Sequence, residues 1–411
     1  MAKGNPMIVG LDLGTTKIAT IVAEVDPENN LRVVGVGTSP SDGLRRGVVV
    51  NLDKTVQSIL KAVEEAELMA GVKVEAVYAG IAGDHIRSIN SKGVIAVSRQ
   101  GNEITKQDVE RVIEQAKAVA IPMDREIIHV IPQDFIVDDQ HGIRDPVGMS
   151  GVRLEAEVHI VTGAVTSAQN IYKSIERAGL RVIDLVLQPL ASSLSVLNDD
   201  ERELGTALLD VGGGTTDLAL FFEGSIRHTA VIGLGGNNVT NDIAIGLRTP
   251  AAQAELLKKK QGCAMQALVK QDEIIKVPGV GGREEREVSR QVLASIIEPR
   301  MEEIFSLTQR EIKRTDYADL LAAGVVLTGG TASMQGMAEL AEQIFNLPVR
   351  IGYPQGVGGL VDSVKDPIHA TGVGLVLYGF QEGEGGFAGV SEGKLFARIL
   401  ERMKRWFGDF F

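Results

Sequence analysis

Two stretches of this chain are near-copies set about 200 residues apart: IVGLDLGTTKIATIV in the first half and TALLDVGGGTTDLALFF in the second. Each runs an apolar, β-branched strand into an aspartate, then a Gly/Thr turn, then a second strand. Written against each other, Asp12 matches Asp210 and Gly14 matches Gly212. Thr15 and Thr16 match Thr215 and Thr216, with two extra glycines in the second copy. RVVGVG, after the first copy, resembles HTAVIGLG, after the second. A strand–turn–strand unit repeated at this distance predicts a duplicated α/β domain whose halves enclose a cleft.

The turns carry the chemistry. Glycine lets backbone N–H groups approach an anion with no Cβ in the way, and successive N–H groups form an anion nest. Threonine hydroxyls add donors, and Lys17 offsets phosphate charge. A carboxylate beside a polyphosphate repels it unless a cation lies between, so Asp12 and Asp210 suggest Mg²⁺ held largely through water. Neither turn is a GxxxxGK[ST] loop or a GxGxxG fingerprint. A third glycine turn, LTGG at 327–330, follows a buried strand and offers close backbone packing for a nucleoside.

Between the copies, residues 84–160 change texture. Strands such as EIIHVIPQDFIV and RLEAEVHIVTG surround TKQDVERVIEQAKAV, whose Thr105 and Asp108 form a capping-box start to a helix. This region reads as a small inserted α+β subdomain. Asp53–Ala70 reads as a helix, and TSAQNIYKSIERAG as another ended by Gly179. A long helix is expected over 287–315 with Pro299 as a kink or break, and NDDEREL as the crossing between lobes. Aromatics make up only 4% of residues, so the core is Val, Ile, Leu and Ala.

The net charge of −12 argues against a nucleic-acid binder, which needs a basic face. Cys263 is the single cysteine, as expected of a reducing compartment. MAKGNPM shows no signal-peptide pattern, no run of about 18 apolar residues is present, and the six histidines lack metal-ligand spacing.

The last stretch, KLFARILERMKRWFGDFF, breaks with this acidic character. On a helix at about 100° per residue, Leu395, Phe396, Ile399, Leu400, Met403, Trp406, Phe407, Phe410 and Phe411 fall within about 160° of arc. Lys394, Arg398, Arg402, Lys404 and Arg405 lie opposite, with Glu401 and Asp409. Gly-rich 381–393 precedes it as an expected flexible linker. The segment reads as an amphipathic helix lying in a lipid interface, its cations toward anionic headgroups.

The order DLGTTK, DVGGGTTD, VLTGG resembles the actin-like ATPase superfamily. SDGLRRGVV, AELMAGVKVEAVYAGIAGDHI, HVIPQDFIVD, DPVGMSGVRLEAEVHIVT, DERELGTALLDVGGGTTD and the basic amphipathic end resemble, more closely, the FtsA family of bacterial division proteins. The likeness runs over nearly the whole chain.

It implies a two-lobed, ATP- and Mg²⁺-binding fold. The first lobe would hold 1–83, 161–198 and 361–380, and the second-lobe core 199–230 and 309–360. A small second-lobe subdomain would hold 231–308, followed by the linker and the membrane-targeting helix, 394–411. Carried over by position, Gly14, Thr15, Thr16 and Lys17 form one phosphate loop, and Gly212, Gly213, Gly214 and Thr215 the other. Gly329 and Gly330 sit beside the adenosine, and Glu255 and Lys258 contact ribose and adenine. Gln188 stands where the chaperone pattern has Glu. Gln orients a water but is no general base, so turnover is expected below about 1 s⁻¹.

The resemblance further implies filaments of this chain and attachment to the cytoplasmic face of the membrane at the septum. It implies binding of the FtsZ C-terminal peptide, with Arg283, Arg286, Arg290 and Arg300 as candidate cations, and recruitment of later division proteins. A metabolic kinase on the same fold is the alternative. It needs a substrate pocket with a catalytic Asp and has no use for the tail.

Overall fold

The computed structural model describes residues 5–97 and 102–383. Two sheets organise the chain. The first runs in the order Arg181–Leu187, Ala76–Ile81, Met7–Leu13, Lys17–Val25, Leu31–Pro40, with short Gly358–Gly359 at its edge. The second runs Val349–Ile351, Val325–Thr328, Thr206–Val211, Thr216–Phe222, Ser225–Ile232. In both, an antiparallel three-strand meander is extended by parallel strands on the side of its first strand. The duplication is therefore one of topology as well as of sequence.

The register corrects the alignment read from the sequence. Leu13 pairs with Ile18 and Val211 pairs with Thr216, so both turns contain four residues and match without a gap. Gly14, Thr15, Thr16 and Lys17 correspond to Gly212, Gly213, Gly214 and Thr215. A bulge falls at the same place in each copy, after Val22 and after Leu220. The third strands are displaced: Thr20 pairs with Gly37, whereas its counterpart Leu218 pairs with Ala230. RVVGVG and HTAVIGLG are thus not in register. The glycines of RVVGVG serve packing, because a Cβ on Gly37 would lie 1.9 Å from Ala62 O of the helix Leu52–Ala70.

That helix is capped by Asn51, whose side chain accepts from Lys54 N, and is closed by left-handed Gly71. Lys106–Lys117 starts with the expected box between Thr105 and Asp108. It packs on an inserted four-stranded sheet ordered Arg87–Ala96, Arg153–Ala164, Arg125–Val137, Gln140–Ile143, with its own apolar core around Phe135 and Val158. Gly179 is left-handed just past Val165–Arg177, as expected.

The structure refines three elements. The long helix is Arg290–Ile312 and runs through Pro299; Arg286–Ser289 instead pairs with Ile274–Val277 as a hairpin. There Glu287 is held by cross-strand pairing to Lys276 rather than by helical bonds. NDDEREL is a short helix, Asp199–Leu204, with a capping box between Asn198 and Glu201. Gln381–Gly383, expected in the linker, continue the helix Ala370–Gly383. The remainder of the linker and the amphipathic segment 394–411 lie outside the described residues.

Two helices join the lobes. Gln188–Val196 and Ala370–Gly383 cross so closely that a Cβ on Gly374 would lie 1.8 Å from Ala191 O. Val196, Leu197 and Ala370 share a buried apolar cluster with Leu208, Phe221 and Val326 of the second sheet. Among the described residues no helix is long and apolar enough to cross a membrane.

Candidate functional site: the cleft between two aspartate hairpins

The two matched turns meet. In each, the first glycine donates across the turn, Gly14 N to Lys17 O and Gly212 N to Thr215 O, both at 3.0 Å. A Cβ on Gly213 would sit 1.9 Å from Thr16 Oγ1, and one on Gly214 would sit 2.6 Å from Thr15 Oγ1. Thr16 Oγ1 also donates to Asn237 Oδ1 at 3.4 Å. Glycine at 213 and 214 is what lets the turns approach; side chains there would hold the lobes apart.

Beneath the turns lie the aspartates. Asp12 is buried, and Gln188 Nε2 donates to its Oδ1 at 3.2 Å and to Leu13 O at 3.4 Å. Asp210 is buried and accepts from Ser192 Oγ at 2.8 Å and Thr371 Oγ1 at 3.1 Å, one hydroxyl from each crossing helix. Burial pushes the Asp12 carboxyl up to about 6; Lys17 opposes this and Asp210 adds to it. Burial also raises Asp210, against the Ser192 and Thr371 hydrogen bonds and Lys17. The Lys17 ammonium is lowered by burial and favoured by both aspartates. Its Nζ donates to Ile368 O at 2.9 Å and lies 3.4 Å from His369 Nδ1.

The structure adds a residue that the sequence reading did not nominate. Asp217 pairs directly across the hairpin from Asp210. It is buried and pushed up to about 8, by burial first and by Asp210 second. Thr215 Oγ1 donates to its Oδ2 at 3.1 Å, while its Oδ1 has no hydrogen-bond partner in the described structure. The signal was present: an Asp on either side of a four-residue turn, seven positions apart, places both carboxylates on one face. Ser192 and Thr371 were also missed, and nothing local marks them.

The remaining expected residues gather at one end of the second turn. Left-handed Gly329 abuts Asp210, where a Cβ would lie 2.3 Å from Oδ1. Gly330 faces Ile368. Lys258 is buried and donates to Gly236 O and Thr240 Oγ1, each at 3.0 Å, and pairs with Glu255 at 2.7 Å. Burial works to raise Glu255, but Lys258 and Thr240 outweigh it and hold the carboxyl low. Gly236 N reaches Gly212 O at 2.9 Å, which joins this pair to the second turn.

The four arginines behave differently from one another. Arg290 donates to Gln261 O, Glu273 and Gln335, and Arg300 to Asp242 and Glu303. Both are committed within the fold. Arg283 is exposed, and exposed Arg286 donates to Leu247 O. The residues expected to face a membrane, Leu395 to Phe411, fall outside the described residues.

Comparison with known proteins fixes the family. A family model described as cell division protein FtsA matches residues 207–374. A Pseudomonas aeruginosa protein named cell division protein FtsA is 53% identical over 410 residues, covering 98% of each chain. The chain belongs to the FtsA family of cell division proteins. A second model, the SHS2 domain inserted in FtsA, matches 83–162, where the sequence reading placed an insertion at 84–160. The FtsA-family fold is actin-like. The chain resembles a solved PilM–PilN type IV pilus biogenesis complex at a TM-score of 0.65 and 16% identity, covering 91% of this chain and 98% of that one. It also resembles MreB5 of Spiroplasma citri bound to ADP at a TM-score of 0.56 and 16% identity, covering 92% and 99%.

Proposed function

We propose that this FtsA-family chain binds ATP between its two aspartate hairpins and, through its C-terminal segment, holds the FtsZ polymer to the cytoplasmic membrane. The observation that carries the first half is the meeting of Thr15 and Thr16 with Gly213 and Gly214 above Asp12 and Asp210. Backbone N–H groups from both lobes then converge on one anion, Lys17 neutralises part of its charge, and the Lys258 side receives the nucleoside. The nucleotide-bound MreB5 supports the reading by analogy of fold.

Mg²⁺ fits the cleft. Asp12, Asp210 and Asp217 are buried carboxyls, each driven above its ordinary value, with Asp210 acting on both of the others, and Asp217 Oδ1 has no partner in the described structure. Among the described residues no group of three or more His, Cys, Asp or Glu is arranged to grip a metal directly. Asp12 and Asp210 would hold the ion through water, and bound Mg²⁺ supplies neutralisation of the triphosphate. The Gln188 amide, occupied with Asp12, orients groups but takes no proton, so hydrolysis is slow.

The second half rests on the amphipathic segment. One such helix binds lipid reversibly, and an array of copies binds far more firmly because linked tails raise the effective concentration. Filaments along the membrane, capture of the FtsZ C-terminal peptide near Arg283 and Arg286, and recruitment of later division proteins complete the reading. Flotation with anionic vesicles tests the anchor. The full chain is expected to float and a chain lacking 394–411 to stay in the dense fraction. Equal flotation of the two contradicts it.

A further inference from the structure

Arg46 and Gly47 are the two central residues of a tight hairpin between Leu44–Arg45 and Val48–Val49. Both are left-handed, at φ 49° and 75°. A turn of this kind favours Asn-Gly; an arginine there holds a backbone conformation that its Cβ resists. The tip is nevertheless firmly seated. A Cβ on Gly47 would lie 2.3 Å from Ala82 O, one on Gly83 would lie 2.8 Å from Arg46 O, and Gly47 N donates to Thr15 Oγ1 at 3.1 Å. The hairpin is thereby fixed to the first phosphate turn.

Its side chain crosses the cleft. Arg46 Nη1 lies 3.9 Å from the position of a Cβ on Gly233, in the second lobe just before the helix Gly236–Gly246. The guanidinium is exposed, and no hydrogen bond or ion pair engages it among the described residues. Lys17, by contrast, is tethered to Ile368 O.

The order of contacts along the second turn gives the cleft a direction. Gly212 lies at the end with Gly236, Lys258 and Thr331; Gly213 faces Thr16; Gly214 faces Thr15, and so the Arg46 hairpin. With the nucleoside on the Lys258 side, the phosphate chain runs toward Thr15, and its last phosphate ends beneath Arg46.

We propose that Arg46 recognises the terminal phosphate of a bound nucleoside triphosphate, tying the lobes together in the triphosphate state and releasing them in the diphosphate state. A planar guanidinium with five donors suits two phosphate oxygens at once. The inference rests on the reading of the cleft as an ATP site.

The test is calorimetric titration of the full chain with Mg-ATP and with Mg-ADP, for the wild type, Arg46→Lys and Arg46→Asn. Asparagine tolerates the left-handed turn, so Arg46→Asn retains the hairpin; its thermal midpoint checks the fold. The expected result is about tenfold weaker ATP binding in Arg46→Asn, with ADP binding within about twofold of the wild type. Arg46→Lys falls between. Equal loss for ATP and ADP, or no loss for either, overturns the assignment while leaving the cleft as an ATP site. A wild type that binds neither nucleotide overturns the reading of the cleft, and this proposal with it.

Discussion

Gly213→Val is expected to weaken ATP binding by at least about 100-fold, or about 2.7 kcal/mol. A Cβ at this position would lie 1.9 Å from Thr16 Oγ1 and 3.0 Å from Thr16 Cβ, with Asn237 Oδ1 at 3.6 Å. Rotating the Thr16 hydroxyl away removes the first clash but leaves the second, since Thr16 Cβ is fixed to its own turn. Valine adds two methyls to this contact. The turns must therefore separate, and an anion bound by N–H groups from both loses one set. Gly213 is not among the residues with positive φ, so its backbone suits a side chain and the lobes should still fold. Titration calorimetry with Mg-ATP, beside a circular dichroism melt, separates the effects. Unchanged ATP affinity in a folded Gly213→Val protein contradicts the account.

The second expectation concerns Asp217 in metal-free, nucleotide-free protein. Its carboxyl is raised from an ordinary value of 3.8 to about 8 by burial and by Asp210. Between those values the native state keeps a proton that the unfolded chain has released. Stability contributed by this group therefore falls as pH rises from about 4 toward 8. Asp217→Asn keeps an oxygen for Thr215 Oγ1 and removes the titration. Its stability relative to the wild type should rise by roughly 1 kcal/mol per pH unit across that window. Urea denaturation at pH 5 and pH 8, with chelator present, measures the difference. A gap that stays constant with pH contradicts the assignment.

The fold was legible because the duplicated strands are continuous apolar runs, and each ends in an aspartate that marks its place. The register was not. Matching Thr15 and Thr16 to Thr215 and Thr216 maximised identity by opening a two-glycine gap, whereas hydrogen bonding gives both turns equal length and puts Lys17 opposite Thr215. Asp217 lies past the turn rather than before it, and the register of its own hairpin sets it against Asp210. Ser192 and Thr371 reach Asp210 from helices 18 and 161 residues away in sequence, a proximity created by tertiary packing alone. Arg290 and Arg300 illustrate the reverse limit: a basic helix face looks free in sequence, yet both side chains are spent on internal partners. Lys258 likewise looks like a solvated lysine in AELLKKK and is buried against Gly236.

The central claim is that one triphosphate is gripped from both lobes at once. Crystallising the full chain with Mg²⁺ and a non-hydrolysable ATP analogue tests it most directly. The account predicts that the phosphates lie between Gly14–Lys17 and Gly212–Thr215, in contact with both turns. Phosphates bound to one turn alone, or a nucleotide lodged elsewhere on the chain, would contradict it.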